Sequence, residues 1–216
     1  MLIKICGLRT IEPTLAAAQA GADLLGLVFA PSRRQVSVAE AAPLVAAIRA
    51  LPAPRPRLVG LFVNASPTTI NAIVAELALD LVQLSGDEPL HEGATLNRPI
   101  IRSLRMDGSP REAAWLAQSQ LGDHPLLFLA DAHVPGSYGG TGVQADWNQA
   151  AHLATQVPLL LAGGLHAQNV ASAIATVQPS GVDVSSGVES AGQKDCAKIR
   201  AFIAAAREAA SAVSLT

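Results

Sequence analysis

The sequence predicts an α/β fold, a single-domain (β/α)₈ barrel over residues 1–216. Short runs rich in Val, Ile and Leu recur along the whole chain, and stretches of helical character lie between them. Reactive side chains or glycine-rich segments follow several of these runs. Such continuous apolar runs are typical of strands buried on both faces of a parallel sheet. Strict alternation places helices outside that sheet, and eight repeats indicate a closed barrel.

The predicted strands are each four to six residues long. In chain order they are Leu2–Ile5, Leu24–Phe29, Leu58–Val63, Leu79–Leu84, Ile100–Leu104, Leu126–Ala130, Leu159–Ala162 and Val182–Ser185. An open, doubly wound sheet is the structural alternative. It would usually have fewer strands and a reversal of strand order, which a sequence does not reveal.

Three of the intervening helices carry start signals. Ser37 is followed by Glu40 and Ser109 by Glu112, the spacing of a capping box, in which each residue caps the other's backbone. Ser66-Pro67 and Ser109-Pro110 place proline at the first helical position, where its missing N–H costs nothing. These signals support helices between the second and third, third and fourth, and fifth and sixth strands.

Composition excludes several classes of function. A net charge of −2 gives no basic field for a nucleic-acid partner. No apolar run is long enough to span a membrane, and no targeting segment is visible. The two cysteines form no disulfide framework, and no metal-ligand spacing occurs. We therefore expect a cytoplasmic protein without a bound metal, and the lack of a long apolar stripe mildly favours a monomer over a homodimer.

Strand alternation sorts the side chains of the first and last strands. Ile3 and Ile5 suit the helix-facing side, so Lys4 and Cys6 face the barrel interior. On the last strand, Asp183 and Ser185 share a face. Because these strands are neighbours in a closed barrel, and because an unpaired interior lysine is costly, we predict that Asp183 lies near Lys4.

Glycine clusters follow the last three predicted strands. Glycine lets backbone N–H groups approach an anion, and the loops after the seventh and eighth strands often bind phosphate in this fold. Tight turns alone are the alternative explanation. The pattern predicts a phosphorylated small-molecule substrate, and the candidate residues are Gly140, Gly142, Gly163, Gly164, Ser185, Ser186 and Gly187.

Two reactive side chains end strands at the predicted catalytic face. Cys6 ends the first strand and Asp131 the sixth, so a thiol and a carboxylate could act as base and acid across a bound sugar. The alternatives are a buried inert thiol for Cys6 and a helix cap or turn for Asp131. Ser32-Arg33-Arg34-Gln35 follows the second strand, and an arginine here could bind a substrate carboxylate or be a solvated loop charge.

Sequence segments along essentially the whole chain resemble the phosphoribosylanthranilate isomerase family, enzymes of tryptophan biosynthesis. In order, these segments are Lys4–Gly7, Gly21–Phe29, Ser32–Val36, Gly60–Asn64, Val82–Leu84, Asp131, Gly139–Gly142, Leu161–Leu165, Gly181–Glu189 and Lys194-Asp195. Many members of the family have histidine where this chain has Ser85, so contacts at the fourth strand are expected to differ.

The resemblance implies an Amadori rearrangement of N-(5-phosphoribosyl)anthranilate to 1-(2-carboxyphenylamino)-1-deoxyribulose 5-phosphate. It implies Asp131 as general acid, Cys6 as general base and Arg34 as the anchor of the anthranilate carboxylate. The glycine clusters would bind the 5-phosphate, and Asp183 joins Ser185 among the candidate substrate-binding residues. No metal or organic cofactor is implied, because the imine intermediate accepts the electrons.

Two other functions stay open. The related isomerisation of a phosphoribosyl aminoaldose in histidine biosynthesis is one, although related barrels use carboxylates as both acid and base, and Cys6 argues against it. A non-catalytic, phosphate-binding barrel is the other.

How Cys6 loses its proton is a separate question, for which we hypothesise that Lys4 stabilises the thiolate.

Overall fold

The computed structural model describes residues 1–118, 120–121, 124–131 and 146–213. In this part of the chain, eight parallel strands close into a barrel in which each strand pairs with its neighbours in chain order and the first strand pairs with the last. This confirms the predicted barrel over the open sheet. The strands are β1 Leu2–Cys6, β2 Leu24–Val28, β3 Arg57–Phe62, β4 Leu81–Leu84, β5 Ile100–Leu104, β6 Leu127–Ala130, β7 Leu159–Leu161 and β8 Gly181–Val184.

The helices surround the barrel and alternate with its strands. They are α1 Ile11–Gln19, α2 Val38–Arg49, α3 Pro67–Glu76, α4 Leu90–Gly93, α5 Pro110–Leu116, α6 Trp147–Ala154, α7 Val170–Val177 and α8 Cys196–Val213. After β8 come a 3₁₀ turn, Ser186–Val188, and an antiparallel ribbon of Glu189–Ser190 with Gln193–Lys194. A second ribbon pairs Gln120–Leu121 with His124–Pro125. None of the described helices is long and apolar enough to cross a membrane.

The predicted helix starts are confirmed with one correction. Ser37 and Glu40 form the reciprocal capping box at the start of α2. Ser66 caps α3, and Ser109 caps α5 by accepting a hydrogen bond from the backbone N–H of Glu112. The second half of the predicted box at α5 is wrong. The Glu112 carboxylate instead accepts from the N–H groups of Arg105, Met106 and Asp107, so it orders the loop before the helix.

The barrel interior changes from apolar to polar along the strands. Its lower layer is a buried aliphatic cluster, which includes Leu24, Val59, Leu81, Ile101, Leu129 and Leu160. On β1 and β8, the positions two residues after Leu2 and Gly181 also face inward, and they carry Lys4 and Asp183. Apolar side chains therefore fill the lower end of the barrel, and polar groups gather at its C-terminal mouth.

Candidate active site

Cys6 ends β1 at the mouth of the barrel and is buried. The neighbouring strand β2 carries Gly26 beside it, and a Cβ atom at that position would lie 2.8 Å from the Cys6 Sγ. Glycine at position 26 therefore makes room for the thiol. Val28 and Ala30 complete a small buried cluster around Cys6.

Lys4 and Asp183 form a buried ion pair one layer below the thiol. They are register partners across β1 and β8, and the Lys4 Nζ lies 2.8 Å from Asp183 Oδ1. The predicted contact is confirmed. Burial lowers the pKa of Lys4, but the Asp183 carboxylate and the neighbouring Cys6 together outweigh burial and raise it. Lys4 is therefore a permanent cation on the strand that carries Cys6.

Burial outweighs the neighbouring charges at Cys6 and favours the protonated thiol. Burial raises its pKa, Lys4 opposes this, Asp183 adds to it, and Lys194 again lowers it. The hypothesis that Lys4 stabilises the thiolate has the correct sign. Burial is the larger effect, however, so the pKa of Cys6 lies above that of an ordinary cysteine.

The loops after β7 and β8 form a glycine-lined pocket. Gly163 and Gly164 both have positive φ, +83° and +63°, which side chains strongly disfavour. Within the described part of the chain, neither of their N–H groups is hydrogen-bonded. Gly187 approaches the next loop so closely that a Cβ would lie 1.8 Å from the Leu165 carbonyl oxygen. Such backbone geometry suits an anion such as phosphate.

Asp131 lies on the rim of the same pocket. It follows β6, where Leu127 and Leu129 face the interior, as the alternation predicts. The residues that line the pocket include Asp131, Gly163, Gly164, Asp183, Ser185 and Ser186. The structure thus brings six of the predicted site residues together, while Gly140 and Gly142 lie outside the described residues.

Arg34 is buried beside β1 and is not a solvated loop charge. Its Nε and Nη2 donate to the two carboxylate oxygens of Glu189, at 2.6 and 3.1 Å. A Cβ atom at Gly7 would lie 2.5 Å from the Arg34 Cδ, so the missing side chain lets the arginine cross the end of β1. Arg34 therefore stands next to the strand that ends in Cys6.

The opposite side of the mouth carries a neutral polar cluster. Ser85 after β4 and Ser103 on β5 share a hydrogen bond of 2.8 Å between their hydroxyls. The amide of Gln83 on β4 donates to both hydroxyls. Ser85 is therefore tied to its neighbours by hydrogen bonds.

Residues 3–205 match the model of a protein family, N-(5′-phosphoribosyl)anthranilate (PRA) isomerase. The chain belongs to this family. An N-(5′-phosphoribosyl)anthranilate isomerase from Roseiflexus sp. (strain RS-1) is 55% identical over 213 residues, which cover 96% of this chain and 98% of the relative.

Solved structures of PRA isomerases have the same fold. The enzyme from Thermotoga maritima aligns with a TM-score of 0.83 at 32% identity, over 96% of this chain and 99% of that one. Another PRA isomerase was crystallised with reduced 1-(o-carboxyphenylamino)-1-deoxyribulose 5-phosphate. It aligns with a TM-score of 0.80 at 31% identity and the same coverage of the two chains.

In this PRA isomerase family member, sequence reasoning gave no role to two residues of the site. Glu189 and Lys194 face each other across the short ribbon after β8, with Lys194 Nζ 3.0 Å from Glu189 Oε1. Both side chains are only 5% exposed. The available signal was the pair Arg33-Arg34, since a buried arginine requires a carboxylate partner and Glu189 is an acidic residue among the glycine-loop motifs.

Proposed function

We propose that this chain converts N-(5-phosphoribosyl)anthranilate to 1-(2-carboxyphenylamino)-1-deoxyribulose 5-phosphate, a step of tryptophan biosynthesis. One observation carries the proposal. A thiol and a carboxylate end two strands at the same mouth, where glycine loops form an anion pocket between them in the barrel order. The substrate has matching groups, namely a phosphate, a ribose and an aromatic carboxylate.

The reaction needs one acid and one base. Asp131 donates a proton to the ribose ring oxygen while the anthranilate nitrogen pushes its lone pair toward C1′. The C1′–O bond breaks and an iminium forms. Cys6, as thiolate, then removes the C2′ proton, and the C–H electrons form the C1′=C2′ bond of a neutral enolamine. Loss of the proton from the C2′ hydroxyl and protonation at C1′ give the ketone.

The remaining groups hold the substrate in place. The Gly163-Gly164 turn and the loop Ser185-Ser186-Gly187 surround the 5-phosphate with backbone donors. Arg34 binds the anthranilate carboxylate. With Nε and Nη2 engaged by Glu189, its Nη1 has no hydrogen-bond partner among the described residues and is the donor group for this contact.

We infer that one catalytic domain, residues 1–216, acts as a monomer on this small molecule.

Substitution of the acid and the base tests this assignment. Cys6→Ala and Asp131→Asn should each lower kcat by about 10² to 10⁴, because each removes one proton transfer while the phosphate and carboxylate contacts remain. The assay follows the fluorescence of the anthranilate substrate, which decreases on turnover and stays constant on binding alone.

Cys196→Ala is the matched control, because Cys196 begins α8 and is the second of the two cysteines. It should keep the activity of the unmodified chain. Normal turnover in Cys6→Ala or Asp131→Asn would refute the assigned roles. Binding without turnover by the unmodified chain would favour the non-catalytic barrel, and preference for the aminoaldose of histidine biosynthesis would favour the related isomerase.

A further inference from the structure

The carboxylate of Glu189 collects three cations beside the active-site mouth. Arg34 binds both of its oxygens, Arg33 Nη2 lies 2.8 Å from Oε2, and Lys194 Nζ lies 3.0 Å from Oε1. Burial of Glu189 raises its pKa, but the hydrogen bonds from Arg34 and the charge of Lys194 outweigh burial and lower it to about 2. Glu189 is therefore a permanent anion that joins groups from two loops.

Lys194 connects this carboxylate to the end of β8. Besides Glu189, its Nζ donates to the Ser185 carbonyl oxygen at 2.7 Å and to the Ser185 hydroxyl at 3.3 Å. That hydroxyl in turn donates to the carbonyl oxygen of Cys6 at 3.2 Å. The ammonium group is thus one side chain away from the backbone of the proposed base, and its side chain is 5% exposed.

Several elements packed around Cys6 contribute charged groups. Lys4 comes from β1 and Asp183 from β8, Arg34 from the loop after β2, and Glu189 and Lys194 from the ribbon. β2 contributes no charge beside the thiol, because Gly26 stands there, and Asp131 lies across the mouth. The buried groups on the Cys6 side are three cations and two carboxylates. The cations exceed the carboxylates by one, so the net charge of these groups opposes the effect of burial on the Cys6 thiol.

We propose that Lys194 is a positioning residue that stabilises the Cys6 thiolate, and that Glu189 holds Lys194 and Arg34 at a fixed separation. The ribbon then links the cation for the base to the arginine for the substrate carboxylate. The role of Arg34 rests on the proposed function. The effect of Lys194 on the thiolate does not, because it concerns the free enzyme.

Titration of the thiolate in Lys194→Met tests whether Lys194 stabilises the Cys6 thiolate. The ultraviolet absorbance of the thiolate, taken as the difference between each protein and its Cys6→Ala variant, reports Cys6 alone. Removing Lys194 takes away one of the cations that lower the pKa of Cys6, so the titration should move to higher pH. The value of kcat/KM at neutral pH should fall by roughly three- to ten-fold and recover as the pH rises.

Two further variants separate charge from structure. Lys194→Arg keeps the cation and should restore most of the titration behaviour. Lys198→Met is the matched control, since Lys198 is exposed on α8 and binds the backbone carbonyl of Glu189 rather than its carboxylate. An unchanged titration in folded Lys194→Met would overturn the proposal. So would an equal shift in Lys198→Met.

Glu189→Gln tests whether Glu189 positions Arg34 and Lys194. A neutral amide of the same shape holds Arg34 less firmly, so KM should rise several-fold with a smaller change in kcat. A lower KM would mean that Glu189 competes with the substrate for Arg34, and would refute the positioning role. The thiolate titration needs no turnover. A shift in Lys194→Met without any turnover by the unmodified chain would therefore contradict the proposed function alone.

Discussion

Two buried ion pairs lie on different sides of the barrel mouth, and they serve different ends. Lys4 and Asp183 join β1 to β8 at 2.8 Å, and Arg102 on β5 joins Glu88, in the loop after β4, at 2.6 Å. All four side chains are 10% exposed or less. The chemistry of the two pairs is similar, so their surroundings must decide what each one does.

The Arg102–Glu88 pair is surrounded by contacts that hold loops together. The Glu88 carboxylate also accepts from the backbone N–H groups of Asn64 and Gly86. Arg102 donates to the Gly86 carbonyl and lies 5.1 Å from the ring centroid of Trp115, whose indole N–H binds the Glu88 carbonyl. Trp115 on α5 therefore supports this pair.

The Lys4–Asp183 pair instead borders the reactive groups. Asp183 lines the glycine pocket, and Lys4 and Asp183 both act on the pKa of Cys6. An ion pair enclosed by backbone donors therefore fixes loops. The same kind of pair at the pocket wall sets the charge of a neighbouring side chain.

The largest effect on stability is expected at the Arg102 side. Arg102→Met leaves the Glu88 carboxylate buried without its cation, and should lower the free energy of unfolding by about 3–5 kcal/mol. Chemical denaturation measures this loss. The pH dependence of kcat/KM in the folded protein should stay unchanged, because Arg102 is not among the groups that act on Cys6.

Arg111→Met is the matched control for that loss. Arg111 pairs with Asp87 at 2.7 Å, but its side chain is 50% exposed, so its removal should cost about 1 kcal/mol or less. A comparable loss in the two variants would contradict the structural role given to burial at Arg102. A shifted pH profile in Arg102→Met would contradict the separation of the two sides.

Lys4→Met is the matching change on the catalytic side. It removes the charge that most lowers the pKa of Cys6 and leaves Asp183, which raises it. The pKa of the thiol must therefore rise, the thiolate fraction at neutral pH must fall, and the rising limb of kcat/KM against pH should move to higher pH. The measurement is that profile, recorded where the folded fraction is constant.

A limb that does not move in Lys4→Met would show that the pair has only a structural role. Recovery of kcat/KM at high pH would distinguish a lost charge from a displaced thiol. The loss in kcat/KM at neutral pH should exceed that in Lys194→Met, because the effect of Lys4 on Cys6 is the larger of the two.

Residues on regular strands were predictable from the sequence. The alternation of Ile3, Lys4, Ile5 and Cys6 fixes which side chains face inward, and the closure of the barrel then brings Asp183 to Lys4. Strand bounds differ from the predicted ones by at most two residues, as at β4, since the ends of apolar runs do not mark where hydrogen bonding ends.

The ribbon after β8 could not be predicted in the same way. Two strands of two residues have no hydrophobic period, and their turn uses Ala191 and Gly192 at positive φ, of which only the glycine is a signal. Glu112 was misassigned for a related reason. The spacing Ser-x-x-Glu allows a reciprocal cap, but free backbone N–H groups of the preceding loop bind the carboxylate instead.

The smallest effect is expected at the neutral cluster after β4. Ser85→His introduces an imidazole beside a cavity of about 400 Å³ whose lining includes Ser103 and Gly86. The ring should break the Ser85–Ser103 hydrogen bond and change KM by about three-fold or less, while the rising limb of the pH profile stays in place. Steady-state kinetics over the pH range tests both statements, with Ser103→Ala as the control that breaks the same hydrogen bond without adding bulk. If Ser85→His moves the limb as far as Lys4→Met does, the β4 side acts electrostatically on Cys6, and the division between a structural and a catalytic side of the mouth is wrong.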